Sequence, residues 1–84
     1  MALPKELIGK GSRIDIGFTI INISERRNIV SIVHAGNMGN NIESVEENVD
    51  LALGKGTFKK LEKSCKKMTE DGWPDYLYKR TMKF

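Results

Sequence analysis

One cysteine, one histidine and one tryptophan among 84 residues leave little material for metal or nucleophile chemistry. Cys65 has no second cysteine with which to close a disulfide or begin a zinc site. An isolated cysteine points to a reducing, cytoplasmic setting. His34 has no ligand or base partner at any recognisable spacing, and a Cys65/His34 dyad would need a tertiary contact that nothing in the chain signals. Long apolar runs are also missing. Nothing approaches the roughly 18 to 20 residues that cross a bilayer, and the first twenty residues lack a basic segment followed by an apolar one. The expectation is a protein that is neither secreted nor membrane-inserted, with no catalytic residue, no metal and no cofactor.

What the chain does contain is charge, unevenly spread. Residues 1–54 carry five basic side chains against seven acidic ones, and residues 55–84 carry nine against four, so the first part is net −2 and the second net +5. A separation of this kind acts on encounter rate and partner choice rather than on fold. The basic part is concentrated in Thr57–Met68, TFKKLEKSCKKM, where Phe58, Leu61, Cys65 and Met68 recur at helical spacing. Lys59, Lys60, Lys63, Lys66 and Lys67 fill the opposite side, relieved only by Glu62. An ordinary solvated helix would intersperse glutamates at i±4 for mutual support. Lysines packed this densely suit an anionic partner.

At this length a chain buries roughly 60% of its unfolded surface, enough for one thin core and a single domain over residues 1–84. Dimerisation would add stability to so small a unit. Pro4 can start a short turn that Gly9 and Gly11 close. From Ser12 to Ser24, Ile14, Ile16, Phe18 and Ile20 alternate with more polar residues, the period of a strand with one buried face. A polar turn, Ser24–Asn28, then leads to a second β-branched run, Ile29–Ala35, and the two predict an antiparallel hairpin.

A Gly/Asn-rich connection follows, and then Ile42–Leu53 predicts a helix with Ile42, Val45, Val49, Ala52 and Leu53 on one face. Asn41 or Ser44 can cap it, with Glu47 completing a capping box, and its carboxylates sit where the helix dipole favours them. Gly54 and Gly56 end that helix, Thr57 caps the next, and Glu70–Gly72 stops it. After Trp73-Pro74, the alternation of Tyr76, Tyr78, Arg80, Met82 and Phe84 predicts a third strand. The order ββααβ defines a small α+β domain with helices on one sheet face.

Two surfaces are candidates for binding. The lysine helix can neutralise phosphates with release of counterions. In the C-terminal strand, Tyr76 and Tyr78 could stack on unpaired bases while Lys79, Arg80 and Lys83 hold phosphates, which favours RNA over DNA. The connection His34–Asn41 precedes a helix N-terminus, where free amides could hold an anion, but it matches neither a Walker sequence nor G-x-G-x-x-G. The rival reading is an inhibitor or adaptor that docks on an acidic protein surface, with Trp73 as its buried anchor. A compact, lysine-rich chain without catalytic motifs resembles, in general style, the small accessory proteins that bacteriophages use to bind and modulate host enzymes. That likeness is carried by no motif and assigns no residue a role.

Overall fold

The computed structural model describes residues 3–35, 42–64, 66–68 and 77–84. The short 3₁₀ turn Lys5–Leu7 is followed by strands β1 (Arg13–Ile16), β2 (Thr19–Ser24) and β3 (Ile29–Ala35), helices α1 (Ile42–Leu53) and α2 (Thr57–Ser64), and strands β4 (Lys66–Met68) and β5 (Leu77–Lys83). The five strands form one antiparallel sheet in the order β1-β2-β3-β5-β4. The α+β class, the two helices and the C-terminal strand are as expected.

The expected first strand, Ser12–Ser24, is two strands. Ile16 pairs with Thr19 across a two-residue turn, Gly17-Phe18, and Gly17 adopts φ +58. A positive φ confined to the first of two turn residues is the type II′ arrangement, which glycine enters without a Cβ penalty. The turn shifts the alternation by one residue. Ile14 packs against the core from β1, while Ile21 and Ile23 are buried from β2; Ile20 falls on the opposite face and Phe18, expected to be buried, is 71% exposed at the tip. The tip is anchored at its carbonyl, which accepts the amide of Ala35 at 3.1 Å.

The covered face of the sheet presents Ile21, Ile23, Val30, Ile32 and Met82 to the helices, which return Val45, Val49 and Leu53 from α1 and Phe58 and Leu61 from α2. Leu3, Leu7 and Phe84 complete the same cluster. On the other face, Ile29 and Val33 are only half-buried, because no described element covers them.

The lysine helix is shorter than its periodicity predicts. α2 ends at Ser64, and Lys66–Met68 instead pairs with β5, Lys66 opposite Lys83 and Met68 opposite Thr81. Pairing satisfies the backbone of an otherwise open β5 edge, a tertiary gain that local propensity cannot anticipate. Cys65 and the expected stop at Glu70–Gly72 lie outside the described residues, as do Asn41 and the connection 36–41.

The corner between the helices is fixed by a residue read only as part of an acidic first helix. Both carboxylate oxygens of Asp50 accept amides at the start of α2: Oδ2 from Gly56 at 3.1 Å and Oδ1 from Phe58 at 3.0 Å. Thr57, expected to cap, instead donates its buried hydroxyl back to the carbonyl of Leu53 at 3.4 Å. Gly54, at φ +117, takes the conformation that ends α1. Asp50→Ala strips two orphan amides of their acceptor, and chemical denaturation should show a loss of about 0.5–2 kcal/mol; an unchanged midpoint would show that the cap contributes nothing.

Candidate nucleic-acid interface

α2 presents its charges outward because Phe58 and Leu61 turn inward. Lys59, Lys60 and Lys63, with Gly56 and Ser64, line a surface groove of about 330 Å³. These lysines are not equivalent. Lys59 stands 3.8 Å from Glu46 of α1 and is 74% exposed, while Lys60 binds Glu6 of the 3₁₀ turn. Lys63 makes no ion pair among the described residues. Exposed pairs contribute about 0–1 kcal/mol, so Lys59 can exchange its carboxylate for a phosphate at little cost.

The strand period divides the expected β5 residues between two faces. Lys79, Thr81 and Lys83 lie opposite Val33, Ser31 and Ile29 on the uncovered face. Tyr78 and Arg80 lie opposite His34 and Ile32 on the covered face, sharing one side as the alternation required. There Arg80 Nη1 is 3.5 Å from Glu62 of α2, and its guanidinium sits 5.7 Å from the centroid of the Tyr78 ring. Tyr78 packs against the hydrophobic core. Arg80 and Tyr78 thus fasten α2 to the sheet, which separates them from Lys79 and Lys83. The described residues of the uncovered face form three rows: Arg13, Asn22, Ser31, Thr81; Asp15, Ile20, Val33, Lys79; and Ser24, Ile29, Lys83. None of these residues carries an aromatic ring on which a base could stack. Trp73 and Tyr76 lie outside the described residues.

The two elements are joined through one edge of the sheet. β4 follows α2 after a single residue, so the chain carries Lys66 and Lys67 along the outer edge of β5. Lys66 and Lys83 occupy directly opposed register positions, a placement at which like charges destabilise a strand pair. The basic positions therefore run from the outward side of α2, round the β4 edge, to Lys79 and Lys83. Periodicity could locate each group on its element, but not this junction.

His34 is explained by the core. Asn48 Nδ2 of α1 donates to Thr19 Oγ1 at 2.9 Å, and that oxygen lies 2.7 Å from His34 Nδ1, with Thr19 fully buried and His34 5% exposed. The Thr19 hydroxyl thus serves both neighbours, accepting from Asn48 and sharing a hydrogen bond with His34 Nδ1. A hydroxyl without solvent access is a poor nucleophile, so the trio reads as a satisfied polar core contact. Among the described residues, no three His, Cys, Asp or Glu side chains cluster as metal ligands, and no helix is long and apolar enough to cross a membrane. Compared with protein-family models, curated proteins and solved structures, the chain matches none.

Thr19→Val removes the oxygen shared by Asn48 and His34 and should cost about 1–3 kcal/mol in denaturant unfolding, since it strands the buried His34 ring and a half-buried amide; an unchanged stability would show that the trio is dispensable. The Lys60 ammonium holds the Glu6 carboxyl below its ordinary value of 4.5, with the backbone amide of Glu6 adding to the effect. A lowered carboxyl pKa stabilises the fold fully above the ordinary value, and that stabilisation is lost as pH falls through the lowered one. Melting temperatures of wild type and Glu6→Gln should therefore differ at neutral pH and converge in acid; a constant gap across that range would contradict the linkage.

Proposed function

We propose that the protein is a non-enzymatic binding module for nucleic acid, gripping the phosphate backbone along the basic margin formed by α2, β4 and β5. The observation that supports this most directly is the placement of basic residues: Lys63 and Lys83 make no ion pair among the described residues, and Lys66 holds the register position opposite Lys83. Like charges crowded at one edge cost folding stability when alone and are relieved by a polyanion. Lys59, Lys60 and Lys67 extend the same margin, and Lys79 carries it onto the uncovered face.

Recognition by charge is indifferent to base sequence, because phosphates carry none. The preference for RNA draws on Tyr76 rather than on Tyr78, whose ring packs against the core. Arg80 acts behind the surface, holding Glu62 and hence α2 in position.

Fluorescence anisotropy with labelled single-stranded RNA and DNA of matched sequence tests this reading. Affinity should fall steeply with salt, and Lys63→Gln/Lys79→Gln/Lys83→Gln should lower the slope by about 2, given a contribution of about 0.7 per neutralised phosphate on a single strand. Equal salt slopes for wild type and variant would refute the margin as the phosphate site. A nuclease-resistant complex with a host protein, lost on changing Trp73, would favour the inhibitor reading instead.

A further inference from the structure

We infer that two copies of this chain associate face to face through their helical layers, the acidic ridge of α1 in each copy lying on the basic ridge of α2 in the other. Along α1, Glu43, Glu47 and Leu51 follow one another at helical i+4 spacing, and all three are exposed. Glu43 and Glu47 make no ion pair among the described residues, and neither does Lys63 on α2. Opposite charges therefore stand uncompensated on neighbouring helices of one layer. Among the described residues of one copy, the two helices exchange an ion pair only at the long Lys59–Glu46 contact of 3.8 Å.

A two-fold axis running between the helices, along their length, sets α1 of one copy over α2 of its partner and repeats the same match on the other side. Such an interface is isologous and closes at two copies, whereas head-to-tail use of the same charges would propagate. It also gives Leu51 a covering. That side chain is 76% exposed on the outer side of α1, beside a groove of about 390 Å³ lined by Glu47, Asp50, Leu51 and Lys55. The aliphatic stems of the partner's lysines suit this groove, with their ammonium groups reaching the carboxylates. The domain measures 34 × 26 × 21 Å, so its broad faces are of the order of the about 800 Å² per partner that a stable interface uses.

This pairing does not depend on nucleic-acid binding. It would, however, cover Lys59 and Lys63, so a polyanion and a second copy would compete for the same helix.

Sedimentation velocity on the isolated full chain, without nucleic acid, tests it. Wild type should sediment at twice the monomer mass in low salt and shift toward monomer as the Debye length shrinks to about 8 Å at physiological ionic strength and below that at higher salt. Glu43→Lys/Glu47→Lys and Lys59→Glu/Lys63→Glu should each be monomeric alone, yet an equimolar mixture should form a heterodimer, because every reversed charge then faces its opposite. Leu51→Asp should weaken the wild-type dimer without lowering the monomer's melting temperature. A wild type that stays monomeric in low salt, or a dimer unchanged by all three variants, would overturn the proposal, as would a mixture of the charge-reversed chains that remains monomeric.

Discussion

The alternation of β5 between two faces is the constraint on which the rest depends. Held between β3 and β4, the strand cannot rotate, so each of its basic residues is assigned a side once register is set. Arg80 goes beneath α2 with Tyr78 and ties the helix down through Glu62; Lys79 and Lys83 go to the uncovered face. A slip of one residue would exchange these roles, placing two lysines against the core and freeing the arginine. Fold and charge distribution are thus set by the same register.

The helices add a second layer of order. Asp50 turns α1 into α2 by accepting two amides, and that corner aims Phe58 and Leu61 inward. The lysines between them face out as a consequence. Among the described residues, carboxylates then moderate the charge unevenly, engaging Lys59 and Lys60 but not Lys63. The basic surface is therefore a margin with graded availability, in which charges shared with weak surface pairs remain open to exchange.

Much of this architecture was legible in the residues. The bounds of α1 follow from apolar spacing and from the glycines that end it, and the meander β2-β3 follows from β-branched runs flanking a polar turn. The division of Ser12–Ser24 was signalled by Gly17, but an unbroken apolar alternation concealed it, since Phe18 fits a strand as well as a turn tip. The early end of α2 had no local signal, because Lys66–Met68 is held by β5, a partner distant in sequence. Partners of side chains were least visible. Asp50 read as a favourable helix charge, and His34 read as solitary, until tertiary packing brought Gly56, Phe58, Thr19 and Asn48 to them. The basic residues could be placed on their elements from the sequence, whereas the split of β5 between two faces, with Tyr78 and Arg80 turned toward α2, needed the sheet order.

Whether nucleic acid lies along the α2, β4 and β5 margin, as proposed, can be read from backbone amide chemical shifts during titration with a single-stranded RNA. Salt-sensitive shifts are expected at Lys59–Lys67 and at Lys79–Lys83. Shifts confined to the acidic ridge of α1, or their absence from both basic segments at saturating RNA, would contradict it.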